Sequence, residues 1–170
     1  MLDWLVPPAS GPVETVAVAA PDGHQLQIED GIVGRSELLA QLRAAEACIA
    51  RHQPERMAVS GGDCLVDLAL FAYLNERQEG ELAVLWIDAH PDITTPRDFS
   101  HAHAMVPGNL LGEGNPDFKI AIRRQLRPSH VITPAQMKCW RWRPQCLSAL
   151  TCGMLDRVNW CPIVVRSCND

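Results

Sequence analysis

The sequence has few aromatic residues, no long apolar run and no recognisable leader. Aromatic residues make up 5% of the 170 positions, against 47% hydrophobic and 21% charged residues, a balance typical of one soluble globular domain. No stretch approaches the roughly 18 consecutive apolar residues of a membrane-spanning helix, so we expect no membrane contact. The first ten residues lack the basic and apolar parts of a secretory signal, which predicts a cytoplasmic protein.

Two common kinds of cysteine site are not expected, although the chain has seven cysteines. No C-x-x-C pair occurs, which argues against a zinc ribbon or finger. A disulfide framework is typical of small secreted chains, and no export signal is recognised here. Acidic residues are also scarce towards one end, because only Asp156 and Asp170 follow Asp117. The basic region that results does not interleave aromatic and basic residues on a recognisable fold, so no nucleic-acid partner is expected.

Short apolar runs alternate with helical patterns along the first three quarters of the chain. These patterns predict three strands and three helices. The strands are Val13–Ala20, Arg56–Ser60 and Leu82–Ile87, and the helices run from Ser36 to about Arg51, from Leu65 to about Arg77 and from Asp117 to about Leu126. This order predicts an α/β fold with right-handed crossovers. The unbroken apolar run of Leu82–Ile87 predicts a parallel strand covered on both faces.

The strongest chemical signal follows the third strand, where Asp88-Ala89-His90-Pro91-Asp92 places three metal-ligating side chains at every second position. In extended backbone such side chains project to one side. Two carboxylates and one imidazole suit Mn²⁺, Fe²⁺ or Zn²⁺. The carboxyl ends of strands are also where α/β sheets bind ligands. The alternative interpretation is that Asp88 caps a turn, His90 is a satisfied polar residue and Asp92 is a loop acid.

Two other loops accompany this motif. Gly61-Gly62-Asp63-Cys64 follows the second strand, and Pro107–Gly112 contains Gly-Asn-Leu-Leu-Gly. Gly61–Cys64 resembles the G-G-D-H motif of the ureohydrolase family, which includes arginases, agmatinases and formiminoglutamases. Trp86–Asp92 resembles the family's D-A-H-x-D motif, and Pro107–Gly112 resembles its G-N-L-H-G motif. The resemblance covers about residues 10–130. Three motifs in the right chain order make it specific.

The resemblance implies a three-layer arginase-like α/β fold with a mostly parallel sheet, incomplete at the C-terminus. It also implies a binuclear Mn²⁺ cluster that activates water to release urea from a small guanidino substrate. Cys64, Asp88, His90 and Asp92 would then hold metal, and Asn109 would help to bind the substrate's amino-acid end. The family commonly forms homo-oligomers, so self-association is a further expectation.

Three positions depart from the family pattern. The first metal-ligating His is replaced by Cys64, whose thiolate favours softer ions than manganese. The catalytic His is replaced by Leu111, so His101 and His103 are the candidates for its acid or proton-shuttle role. Thr94 stands where arginases often have an Asn that contacts the substrate carboxylate, so the substrate need not be arginine. The alternatives are a small buried Cys64 and an exposed polar loop around the two histidines.

The family's second acidic pair, with a substrate-binding Glu beyond it, has no counterpart in this sequence. We therefore expect a partial metal site and an impaired hydrolase. The alternatives are a non-catalytic metal-binding pseudoenzyme fragment and an amino-acid or polyamine binding module.

Residues 131–170 read as an atypical tail, separate from a ureohydrolase-like domain over residues 1–130. The tail lacks clear periodicity and is rich in Trp, Cys and Arg, with Cys139-Trp140-Arg141-Trp142-Arg143-Pro144 as its most unusual stretch. Such a composition is what an out-of-frame reading of GC-rich DNA yields. Our hypothesis is a frameshift near residues 131–138 that produced a truncated enzyme with a poorly ordered end, and the alternative is a genuine divergent tail.

Overall fold

The first long helix, α1, comprises Arg35–His52 and begins after a tight antiparallel strand pair. Strands β1 (Ile28–Glu29) and β2 (Ile32–Val33) form that pair. The structure is a computed structural model that describes residues 12–19 and 23–133. Gly34 precedes the helix with a φ of 63°, a left-handed conformation that glycine adopts without steric cost. The predicted helix is confirmed, but Ser36 lies inside it rather than at its cap.

The second helix, α2, comprises Asp67–Arg77 and follows a 3₁₀ turn at Cys64–Val66. The Asp63 carboxylate accepts a hydrogen bond from the Leu65 amide at 2.9 Å, which starts the turn. Most of α2 is buried, because it packs against α1 and supplies a large share of the hydrophobic core. The predicted helix is therefore confirmed, and it lies immediately after the Gly-Gly-Asp-Cys loop.

A parallel strand pair lies behind these helices. Strand β3 (Val84–Leu85) pairs with β4 (Val131–Ile132), so that Val84 lies opposite Val131. The Trp86 amide extends the pairing by donating to the Ile132 carbonyl at 2.9 Å. Parallel pairing of strands so far apart in the chain confirms the α/β prediction. The other two predicted strands are wrong for the described residues, since residues 12–19 and 56–60 form no strand ladder there.

One face of the β3 segment is covered and the other is open. The side chains that alternate inward are buried: Leu82, Val84 and Trp86. Leu85 and Ile87 point the other way and are 39% and 53% exposed. The prediction of a strand covered on both faces is therefore not met among the described residues, because the second covering layer is not supplied by them.

A long connection returns the chain from β3 to β4. It contains a 3₁₀ turn at Ala102–Met105, helix α3 at Val106–Leu110, helix α4 at Pro116–Lys119 and a 3₁₀ turn at Pro128–His130. The predicted helix from Asp117 to about Leu126 is shorter than expected. The chain instead bends back after Lys119, so that buried Leu126 donates its amide to the Leu110 carbonyl at 2.8 Å.

No helix in the described ranges is long and apolar enough to cross a bilayer. The predicted tail lies almost wholly outside the described residues, and its boundary at residue 131 stays a prediction.

Candidate metal centre

Asp88 lies just beyond β3, and its carboxylate is oriented by two hydrogen bonds. One oxygen, Oδ1, accepts the His90 amide at 2.8 Å, which forms a local turn. The other, Oδ2, lies 3.5 Å from the Cys64 thiol, which donates to it. The Asp88 side chain is 9% exposed. The Asp88 carboxylate therefore directs one oxygen towards the Cys64 thiol, in the 3₁₀ turn that precedes α2.

Asp92 reaches the same place from the other end of the motif. Its φ of 48° is left-handed, which is uncommon for a residue with a side chain and is found disproportionately at functional sites. The residue is 4% exposed, and its Oδ2 has no hydrogen-bond partner among the described residues. A buried carboxylate oxygen without a donor is costly unless a cation or a proton satisfies it.

Cys64, Asp88 and Asp92 form a cluster whose ligand atoms all lie within 4.8 Å of one another. We call it the buried triad. Three of the four predicted metal ligands are thus brought together. The fourth, His90, lies beside the triad: its Nδ1 is 3.6 Å from Asp88 Oδ1, but its side chain is 68% exposed.

Burial and neighbouring acids make negative charge on the triad unfavourable, so a nearby positive charge would stabilise it. The pKa of Asp92 is raised to about 7, first because the group is buried and second because Asp88 lies close by. A hydrogen bond from Cys64 and the proximity of His90 lower this pKa only in part. A divalent cation would relieve both the burial and the repulsion, so the residues present fit a metal ion.

Two further acids near the triad were not recognised as site residues in the sequence. Asp67, in the first turn of α2, is buried, and burial and nearby Asp63 raise its pKa to about 7. Asp63 also contributes to the raised pKa of Asp92. The sequence feature that could have identified Asp67 is its position inside the otherwise apolar run from Leu65 to Leu70, where a solvent-facing charge is not expected.

His101 and His103 form a ring cluster with Phe99 rather than joining the buried triad. Their ring centroids lie 5.0 and 6.0 Å from the Phe99 ring and 5.8 Å from each other. His101 is exposed and His103 is half-buried at the start of a 3₁₀ turn. The two imidazole rings lie close together, and their catalytic role stays a prediction.

Thr94 and Asn109 lie inside the protein. The Thr94 hydroxyl donates to the Ala104 carbonyl at 2.6 Å and is buried. Asn109 is fully buried in α3 and its side chain packs so tightly on Gly114 that a Cβ there would collide with it. The Thr94 hydroxyl is thus used within the loop, whereas neither polar side-chain atom of Asn109 has a hydrogen-bond partner among the described residues. Substrate binding by either side chain stays a prediction.

Comparison with known proteins identifies the fold. The family model for the arginase family matches residues 12–143. The chain is similar to an arginase of Entamoeba histolytica solved with L-ornithine, with a TM-score of 0.57 at 20% identity over 68% of this chain and 41% of that one. It is also similar to a native arginase of Bacillus caldovelox, with a TM-score of 0.59 at 20% identity over 69% and 41%. No curated protein matches the sequence.

These likenesses show an arginase-like fold, as the motifs predict. The chain spans 41% of the length of these two solved arginases. The activity and substrates of a whole arginase do not transfer to it on that ground.

Proposed function

The chain belongs to the arginase family, and we propose that its fold serves metal-dependent hydrolysis of a carbon–nitrogen bond in a linear guanidino compound, with release of urea. One observation carries this proposal. Cys64, Asp88 and Asp92 meet at the carboxyl end of a parallel strand, within the region that matches the family. Ligand sites of α/β sheets lie at such strand ends.

The buried triad would hold the metal. Asp88 and Asp92 supply hard carboxylate oxygens that suit Mn²⁺, and Cys64 supplies a sulfur that suits softer ions. When bound, a divalent ion supplies a Lewis acid that activates water and polarises the substrate. Binding requires the Cys64 thiol to give up its proton, which it now shares with Asp88 Oδ2. We therefore propose Mn²⁺ as the cofactor and Cys64 as the position that weakens its hold.

His101 and His103 are proposed to handle the proton that the departing amine needs. Both rings can be reached from solvent, and an imidazole can both accept and donate a proton. The substrate is proposed to be a small guanidino compound of the class that includes arginine, agmatine and guanidinobutyrate. The Thr94 hydroxyl is already bonded within the loop and offers no amide to the α-carboxylate that distinguishes arginine from agmatine.

We further propose that this chain by itself is an impaired hydrolase. The described residues bring only one carboxylate pair to the triad, and a binuclear site needs more. A non-catalytic metal-binding role is the second candidate, and the observation that favours it is the buried thiol at Cys64 where an imidazole would favour manganese.

Urea release tests the proposed function. The full chain, loaded with Mn²⁺, is incubated with arginine, agmatine and guanidinobutyrate. We expect a slow release that Asp88→Asn and Asp92→Asn abolish and that Asp98→Asn, which removes an exposed acid that accepts from Thr95, preserves. Urea release that both triad variants retain would contradict the proposal. Metal binding with no urea from any of the three compounds would favour the second candidate.

A further inference from the structure

A second group of metal-ligating side chains lies at the C-terminal end of α1, apart from the buried triad. Glu14, Cys48 and His52 place a carboxylate oxygen, a thiol sulfur and an imidazole nitrogen within 4.8 Å of one another. We propose that this group, the α1 cluster, binds Zn²⁺ and thereby fastens the extended segment 12–19 to the helix.

The helix and the segment each supply part of the cluster. Cys48 and His52 are four residues apart on α1, so their side chains lie on the same face, one turn from each other. Glu14 comes from the extended segment, and its carboxylate contacts both His52 Nε2 and the Arg51 guanidinium. The cluster therefore joins two parts of the chain that share no strand pairing in the described residues.

The ligand types favour zinc over the harder ions. Thiolate, imidazole and carboxylate are all ordinary Zn²⁺ ligands, and zinc sites with three protein ligands keep a fourth position for water. Bond lengths of about 2.0–2.3 Å in a tetrahedral site place ligand atoms roughly 3.5 Å apart. The ligand atoms here lie within 4.8 Å of one another, and rotamer changes of partly exposed side chains bring them to these separations. The Glu14 and His52 side chains are 33% and 49% exposed.

Arg51 competes with the metal for Glu14. Its guanidinium contacts one carboxylate oxygen and His52 contacts the other, so zinc must displace at least one of them. Exposed ion pairs of this kind are weak, whereas zinc bonded to a thiolate and an imidazole is held strongly. Removal of Arg51 therefore strengthens zinc binding, which a cluster held only by ion pairs would not show.

Residue-resolved protection of Cys48 tests the proposal. The full-length protein is alkylated with iodoacetamide with and without Zn²⁺, and each cysteine is quantified by peptide mass spectrometry. Zinc slows the alkylation of Cys48 by about tenfold or more, because the bound thiolate is no longer free to react. His52→Gln and Glu14→Gln reduce this protection. Glu37→Gln, a matched change in the first turn of the same helix, leaves it intact.

Arg51→Gln tests whether misfolding explains the loss of protection in the other variants. This variant lowers the zinc concentration needed to protect Cys48 by about two- to fivefold, and a misfolded chain would not give such a gain. In Cys64→Ser protein, where the buried triad has no sulfur, Co²⁺ in place of zinc gives a sulfur-to-metal charge-transfer band that Cys48→Ser diminishes. Cys48 alkylation that is indifferent to zinc in the wild type, or protection that survives both His52→Gln and Glu14→Gln, would overturn the proposal.

Discussion

The buried triad and the α1 cluster contain similar ligands in opposite surroundings. Cys64, Asp88 and Asp92 combine two carboxylates in largely buried surroundings, and the exposed His90 lies 3.6 Å from Asp88 Oδ1. The α1 cluster is partly exposed, and Arg51 already neutralises its one carboxylate. Burial makes the first group costly without a cation, while solvent makes the second stable without one. The same kinds of side chain therefore differ in how much a bound metal ion stabilises them.

The largest expected effect is loss of manganese from the buried triad. Asp88→Asn and Asp92→Asn each remove a charged oxygen ligand, so Mn²⁺ affinity falls about 100-fold or more in equilibrium dialysis, since amides are poorer ligands than carboxylates. Glu14→Gln, which removes the carboxylate of the α1 cluster, leaves manganese affinity unchanged. If Asp92→Asn and Glu14→Gln lowered manganese affinity equally, the buried triad and the α1 cluster would not differ as manganese sites.

Stability of the metal-free protein should depend on pH through the buried acids. The pKa values of Asp92 and Asp67 are raised to about 7, so between about pH 4 and pH 7 each holds a proton in the folded state that the unfolded chain has released. The stability that this proton provides is complete below about pH 4 and is lost as the pH rises through 7. We expect the free energy of unfolding to fall by roughly 1–3 kcal/mol per group over this range.

Asp92→Asn checks this dependence. The variant should flatten the pH profile in denaturant titrations and be more stable than the wild type at pH 8 without metal. Manganese should restore wild-type stability at pH 8 and leave the variant unchanged. A wild type that is more stable at pH 8 than at pH 5 without metal would contradict the account of a buried, uncompensated carboxylate.

A smaller effect concerns the choice of metal. Cys64→His replaces a thiolate with an imidazole, so the ratio of manganese to zinc affinity should rise about tenfold. Cys64→Ser serves as the control, because it removes the sulfur without adding a nitrogen ligand. Competition dialysis with both ions measures the ratio, in the His52→Gln background so that the α1 cluster does not bind zinc. A ratio that is the same in all three proteins would show that Cys64 does not contact the metal.

The smallest expected effect lies at the α1 cluster in the absence of zinc. Its contacts with Arg51 and His52 are exposed ion pairs, so Glu14→Gln should lower the free energy of unfolding by less than about 1 kcal/mol. The loss should shrink further in high salt. A loss of several kcal/mol by chemical denaturation would show that this group is as integral to the fold as the buried triad.

Strand ends and loop motifs in the sequence predicted where the buried triad lies. The backbone conformation of residues 88–92 determined which side chains belong to it. The rule that ligand sites lie at the carboxyl ends of strands holds for Asp88 and Asp92, which follow β3. Cys64 joins them although the strand predicted before it does not form in the described residues. The expected alternation failed at His90, because residues 88–92 are not extended. Asp88 bonds the His90 amide and Asp92 adopts a left-handed φ, so the imidazole points outward. Such turn conformations depend on tertiary contacts that a motif does not encode.

The fold also agreed with the sequence prediction in some elements and departed from it in others. Periodicity predicted α1 and α2 because each packs apolar residues against the core, partly buried along α1 and mostly buried along α2. It overestimated α4, since the chain after Lys119 gains more from burying Leu126 beside Leu110 than from a longer helix. It also overestimated the strands, because a ladder needs partners that the described residues provide only for Val84–Leu85. The α1 cluster could not be predicted from spacing, as Glu14 meets His52 only through folding.

Manganese stoichiometry of the full chain tests the central claim most directly. Elemental analysis after dialysis, on His52→Gln protein so that the α1 cluster does not contribute, should find no more than one Mn²⁺ per chain. The ion should be lost when Asp92→Asn is added. Two manganese ions per chain, or one that persists in the Asp92→Asn protein, would contradict the assignment of the buried triad as a single, partial metal site.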